Sequence, residues 1–209
     1  MKKRLFIVGA GGLGRGLESC LEKVPENLKD WELVGFLDES ATALEGVPSD
    51  YQILGDIDSF QFKKDDLAII AIGDPNTREN IYKRLKGRVN FFTFIDPAVI
   101  VGKYIRIGEG CIILTGCIIN NNAKIGKFTT ILEKSIVGHD SELGDFCSLM
   151  PNVDIGGGCY FGNNVFAGTK ATIIPRRSVA DLVTIGAGSV VIRNVKNSCT
   201  VFGNPAKKI

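Results

Sequence analysis

From Val101 onward an apolar residue falls at every sixth position without a gap, through Ile107, Ile113, Ile119 and Ile125 to Ile173, Val179, Ile185 and Val191. Glycine follows many of these positions, as at Gly102, Gly126, Gly138, Gly156, Gly168 and Gly186. Four residues after each apolar position the side chain is usually small: Cys111, Cys117, Ala123, Thr129, Ser135, Ser141, Cys147 and Cys159 all fit. A period of six matches neither a helix nor simple strand alternation. It predicts a short strand plus a turn, three of which close a triangular coil of 18 residues. The sixth-position residues then point inward, and residue n stacks on n−18. A single coil cannot bury its own side chains, so the stack is the unit that folds. The unbroken series predicts five complete coils with no projecting loop.

The first ~95 residues follow a different pattern. Apolar runs at Leu5–Val8, Trp31–Leu37, Leu67–Ile72 and Phe91–Ile95 read as strands. Arg15–Lys23 and Asn76–Lys86 read as helices, and a short strand is expected near Tyr51–Leu54. Strands alternating with helices imply a small parallel α/β sheet. Pro97 marks the change of pattern, which gives two domains, residues 1–96 and 97–209.

Composition narrows the picture. Lysine and arginine number 25 against 23 acidic residues, so no field for nucleic acid or an acidic membrane follows. Lys2-Lys3-Arg4 precedes an apolar run too short for a signal peptide, and no stretch is long enough to span a bilayer; a cytoplasmic protein is expected. The six cysteines form no CxxC pair, and four of them fall on the small-residue register, so they read as packing residues rather than disulfides or metal ligands.

Two places carry chemistry. Gly9, Gly11 and Gly14 form a G-x-G-x-x-G loop between a strand and a helix, with Asp38 ending the next strand. Such glycines let backbone amides approach a pyrophosphate at a helix N-terminus, and Asp38 is placed to accept from a ribose hydroxyl or a base N–H. The segment is only half of a full dinucleotide fold, so a nucleoside diphosphate fits better than a nicotinamide cofactor. The second place is His139, the only histidine in the chain, which excludes a three-histidine zinc site. It lies between inward Val137 and small Ser141, so it faces outward. Histidine suits a general base near neutrality, and Asp140 beside it can orient the imidazole. The 18-residue register places Gly157 one coil beyond His139 and Asn121 one coil before it; the Gly157 N–H is a candidate donor to a thioester oxyanion.

The whole chain resembles the bacterial sugar O-acyltransferase family, which includes sialic acid O-acetyltransferases and nucleotide-sugar 4-amino N-acetyltransferases. The matching stretches are Ile7-Val8-Gly9-Ala10-Gly11-Gly12, Phe36-Leu37-Asp38-Glu39, Ala71-Ile72-Gly73-Asp74, Ser135-Ile136-Val137-Gly138-His139-Asp140 and the closing Gly203-Asn204-Pro205-Ala206. The resemblance implies a Rossmann-like N-terminal α/β domain followed by a left-handed parallel β-helix, acetyl-CoA as acyl donor, no metal, and a homotrimer. It implies His139 and Asp140 as catalytic residues. It also implies that Gly11, Gly12, Leu13, Asp38 and Gly73 hold the acceptor, and that Gly157, Gly168 and Ala187 contact the coenzyme. Many members have histidine where Leu13 and Asp96 stand here, and glutamate in place of Asp140.

The expected activity is acetyl-CoA-dependent acetylation of an amino group on a nucleotide-linked sugar. O-acetylation of a sialic acid or related sugar is the alternative, since one base serves both. A non-catalytic nucleotide-binding scaffold and a dehydrogenase are the readings from other classes.

Overall fold

The computed structural model describes residues 2–209. The chain divides into two units, one of residues 1–73 and 77–93, the other of residues 74–76 and 94–209.

The N-terminal unit is built on strand β1 (Lys3–Val8), whose second half is fully buried. Helix α1 (Gly12–Glu22) returns the chain to β2 (Trp31–Leu37). Strand β3 (Leu67–Ile70), helix α2 (Pro75–Leu85) and β4 (Asn90–Phe91) follow. Proline suits the opening position of α2, where its missing N–H would have no helical partner. All four strands are parallel, in the order β2-β1-β3-β4. The chain leaves β1 toward one side, then crosses back to place β3 on the other. The switch point therefore lies at the carboxyl ends of β1 and β3, where open α/β sheets bind ligands. The short strand expected near residues 51–54 is a single parallel bridge from Ile53 to Phe36.

Strand β3 ends at Ile70 and α2 runs one residue earlier than the sequence predicts, and two boundaries differ more consequentially. Helix α1 begins at Gly12, not Arg15, so the last glycines of the loop already form its first turn. The apolar run at residues 91–95 is not one strand: Asn90–Phe91 joins the α/β sheet, whereas Phe94–Ile95 pairs with Ile112–Ile113 as the first rung of the second unit.

That second unit is a left-handed parallel β-helix of two-residue strands, stacked in register 18 residues apart, as Val137 pairs with both Ile119 and Ile155. The inward series forms its core: Ile113, Ile119, Ile131, Val137, Leu149, Ile155 and Phe161 are all fully buried. Val101 departs from the series and is 45% exposed, because Ile100–Val101 is the end strand of its sheet with no coil beyond it. The stack outlasts the hexad series, since Ile185 pairs with Val201 and Lys207–Lys208 folds back antiparallel on Val201–Phe202.

The small register position has a polar duty that its size alone does not reveal. Thr129, Ser135 and Ser141 donate their hydroxyls to the carbonyls of Gly144, Met150 and Gly156, at 3.0, 3.1 and 3.0 Å. The thiols of Cys117 and Cys147 do the same to Leu132 and Gly162, both at 3.1 Å. These carbonyls belong to the corners, where no strand ladder satisfies them, and a buried unpaired carbonyl costs about 1–3 kcal/mol. Burial pushes the Cys117 thiol up to about 11 and raises Cys159 as well. None of the six cysteines is in a disulfide. No helix of the described residues is long and apolar enough to cross a membrane.

Candidate functional site

The strand Ile136–Val137 ends at a corner formed by Gly138, His139 and Asp140. Backbone bonds pin this corner to both neighbouring coils. Gly138 N–H donates to Ile155 at 2.7 Å, Asp140 N–H to Asn121 at 3.0 Å, and Gly158 N–H to the His139 carbonyl at 2.7 Å. Asp140 has φ of 58°, in the left-handed region. This turns its carboxylate back onto its neighbour, and Asp140 Oδ2 lies 2.7 Å from His139 Nδ1. The hydrogen bond from His139, then one from Asn122, holds the Asp140 carboxyl below the usual carboxylate range. An ionised carboxylate only accepts, so in the neutral imidazole Nδ1 is the nitrogen that carries the proton and Nε2 keeps its lone pair. Both side chains remain largely exposed to solvent.

The ring lies over Gly157. A methyl group on Gly157 would sit 2.5 Å from His139 Nε2 and 2.7 Å from Cε1, so the imidazole occupies the space a side chain would take. The Gly157 N–H has no partner among the described residues. At another edge of the prism the same turn position is capped from the next coil: Lys127, Asp145 and Asn163 N–H donate to Asp145, Asn163 and Asp181 Oδ1, at 2.7, 2.8 and 2.7 Å. The residue 18 beyond Gly157 is Pro175, which has no acceptor side chain. The hydroxyl of Ser141 holds the Gly156 carbonyl at 3.0 Å, and this carbonyl shares a peptide plane with the Gly157 N–H. The corner thus presents a basic nitrogen beside a fixed, unpaired N–H donor.

Gly168 and Ala187 lie at a different edge of the same prism. A methyl on Gly168 would meet the Ala187 nitrogen at 2.6 Å, which places these two together. The Gly168 N–H is already bonded to Ile185 at 2.7 Å, whereas the exposed Ala187 N–H has no partner among the described residues. Within one chain the 18-residue register brings His139, Asp140 and Gly157 together but keeps Gly168 and Ala187 on another corner.

In the N-terminal unit, Gly9 follows β1 with φ of +101°, where a side chain would be strained. Gly14 packs so closely that a methyl would lie 1.9 Å from the Gly9 carbonyl oxygen. Gly11 and Gly12 meet nothing within 4 Å, and Gly11 has an ordinary φ of −71°. Leu13 is half-buried in the first turn of α1, and Gly73 follows β3 with open space beside it. Asp38 is already engaged: its Oδ2 accepts from Ala10 N–H at 2.8 Å and its Oδ1 from Ser40 N–H at 2.9 Å. It therefore fixes the glycine loop, while each oxygen retains a second lone pair. A cavity of about 340 Å³ opens at the carboxyl ends of the strands, lined in part by Gly9, Asp38, Ile57, Ile72, Asn80 and Arg84. A larger one, about 520 Å³, lies by Lys2, Trp31 and Tyr51, away from the glycine loop.

Three residues here escaped the sequence reading. Arg84 pairs with Asp58 through two hydrogen bonds of 3.1 and 2.7 Å and with Glu39 at 2.6 Å. Arg78 is fully buried and donates to the Ile72 carbonyl at 2.5 Å, securing the turn after β3. Nothing in the pattern of α2 distinguishes it from a solvated charge. Asn122 donates from Nδ2 to Asp140 Oδ1 at 2.9 Å, and counting 18 back from Asp140 would have found it. Among the described residues no group of three or more His, Cys, Asp or Glu side chains could hold a metal ion.

Residues 4–85 match the PglD N-terminal domain family, and residues 78–184 match the GMPPB C-terminal domain family. The UDP-N-acetylbacillosamine N-acetyltransferase of Bacillus subtilis is 31% identical over 115 residues, 54% of this chain and 51% of the relative. A serine acetyltransferase of Synechococcus elongatus is 45% identical over 47 residues, 22% of this chain and 19% of that protein. The chain thus spans about half the length of one of these curated relatives and about a fifth of the other. Among solved structures, a histidine-to-asparagine variant of perosamine N-acetyltransferase from Caulobacter crescentus, in complex with CoA and GDP-perosamine, superposes with a TM-score of 0.88 at 26% identity, over 98% of this chain and 96% of that one. The acetyltransferase domain of PglB from Neisseria gonorrhoeae, in complex with acetyl coenzyme A, gives 0.89 at 23% identity over the full length of both and speaks for the fold alone. With residues 78–184, just over half of its length, matching its family model, the chain belongs to the GMPPB C-terminal domain family and carries a PglD-type N-terminal domain ahead of that match.

Proposed function

We propose that this protein transfers an acetyl group from acetyl-CoA to an amino group of a nucleotide-linked sugar, with His139 as general base. The observation that carries the reading is the chain's single histidine, bonded through Nδ1 to the Asp140 carboxylate at 2.7 Å and packed against a glycine whose N–H is unpaired. The relatives support it: one is named as the N-acetyltransferase of UDP-N-acetylbacillosamine, and another was captured with CoA and GDP-perosamine.

In this reading His139 Nε2 takes the proton as the neutral acceptor amine attacks the thioester carbonyl carbon. The new C–N bond leaves the negative charge on the carbonyl oxygen, to which Gly157 N–H donates. The carbonyl re-forms as the C–S bond breaks, and the thiolate takes the proton from the imidazolium. The products are an amide and the free thiol, and His139 is restored. Asp140 stabilises the imidazolium while it lasts. Gly11, Gly12, Leu13, Asp38 and Gly73 hold the nucleotide end of the acceptor, with the diphosphate at the start of α1.

The pantetheine arm lies along the Gly168 and Ala187 corner, where the Ala187 N–H is available and the Gly168 N–H is not. That corner differs from the His139 corner in a single prism, which supports a homotrimer in which a neighbouring copy supplies one of the two. A cytoplasmic setting, where both substrates are made, belongs to the same proposal. The test is thiol release from acetyl-CoA with a UDP- or GDP-linked amino sugar, against sialic acid and a nicotinamide cofactor. Release with the nucleotide-linked amine alone is expected; release with the sialic acid alone would replace this reading by O-acetylation.

A further inference from the structure

We propose that Asn122 is a positioning residue for the base: its amide fixes the Asp140 carboxylate so that His139 carries its proton on Nδ1 and keeps Nε2 free. The inference rests on the catalytic reading of His139 given above. Asn122 lies one coil before Asp140, at the equivalent turn position, with φ of 61° against 58°. Stacking aligns the two side chains, and Asn122 Nδ2 donates to Asp140 Oδ1 at 2.9 Å while Oδ2 faces His139 Nδ1 at 2.7 Å. The amide must present its NH2 here, since a carboxylate offers no donor.

The plainer explanation is that asparagine tolerates the left-handed conformation the corner demands. The rest of the β-helix argues otherwise. The same left-handed corner is occupied by Tyr104, Phe128, Lys134, Lys170, Arg176 and Leu182 as well as by Asn152 and Asn164. The corner thus accepts almost any side chain, and conformation does not call for asparagine at residue 122. Position does, because an exposed, sequence-adjacent His–Asp pair is poorly held on its own. Its side chains are 70% and 56% exposed, and such pairs lose their geometry to solvent and side-chain motion. The Asn122 amide ties down the one oxygen that His139 does not use.

His139 is the only histidine, so the imidazole resonances of ¹⁵N-histidine-labelled protein report this residue alone. On the alkaline side of the histidine titration, the wild type is expected to show the Nδ1–H tautomer. Asn122→Asp keeps the size and the left-handed preference but removes the donor; Asn122→Ala removes the side chain. Both are expected to shift the tautomer toward Nε2–H and to lower kcat roughly 3- to 10-fold, with KM for acetyl-CoA unchanged. An unchanged tautomer in both folded variants would overturn the proposal. A shifted tautomer with unchanged kcat would overturn it as well, because Asn122 would then not serve the base. His139→Ala, assayed alongside, separates the two claims: if it retains full turnover, the catalytic reading fails independently of Asn122.

Discussion

Gly157 lacks a side chain where His139 needs room, and it offers an N–H where the proposed reaction develops charge. Those two roles can be separated. Gly157→Ala adds a methyl whose nearest neighbours are the imidazole atoms of His139, and Gly157 does not require a left-handed backbone. The fold should therefore survive, while the ring is displaced and the N–H is shielded. We expect kcat to fall by about 10- to 100-fold with little change in melting temperature; a variant with full turnover would remove Gly157 from the site. The folded chain favours the ionised form of Asp140. Its carboxyl is lowered, first by His139 and then by Asn122. The stability it contributes is present above the unfolded carboxyl pKa and is lost only as the pH falls through the lower folded value. It therefore stays ionised throughout the range in which histidine changes charge. Asp38 makes a different case. It binds two backbone N–H groups of the N-terminal unit, one of them in the glycine loop. Asp38→Ala should thus weaken the nucleotide-linked acceptor by on the order of 1.5–3 kcal/mol, partly by loosening the loop. Acetyl-CoA affinity should hold, and isothermal titration of both ligands reads the difference.

At the scale of elements, the glycine loop sorts into residues the fold needs and residues it does not. Gly14 cannot carry a methyl against the Gly9 carbonyl, so Gly14→Ala should destabilise the protein by about 1–3 kcal/mol. That lowers the melting temperature by several degrees. Gly11 faces open space with an ordinary φ, so Gly11→Ala should melt like the wild type yet bind the nucleotide-linked acceptor poorly. Equal acceptor affinity in that variant would mean that the open space holds no phosphate. Sequence periodicity made the elements of the β-helix legible because every coil repeats the same spatial problem. Its ends were less so: Val101 fits the series but lies at an open end, and Phe94–Ile95 begins the stack although its apolar run reads as one strand with Phe91. The first turn of α1 was missed because three glycines look like a loop, whereas the anchoring of the loop by Asp38 lets the helix begin among them.

At the scale of the whole molecule, two sequence patterns met in one chain gave its architecture and family. The geometry of the candidate site was legible where the 18-residue register could be counted, as in the stacking of His139 on Gly157. It was not legible where a contact depends on which way a side chain turns, as for buried Arg78 and the Arg84–Asp58 pair. The proposed homotrimer is tested at this scale: light scattering is expected to give three chains per particle, and a fully active monomer would contradict a shared site. The most direct measurement is the pH–rate profile of wild type and His139→Ala with acetyl-CoA and a nucleotide-linked amino sugar. The account predicts that wild-type turnover falls on acidification as the imidazole gains its proton and loses its lone pair. It predicts that His139→Ala is slower by roughly 10²–10⁴-fold and lacks that acid limb, with acetyl-CoA binding intact. A variant with near-normal turnover and the same acid limb would contradict it.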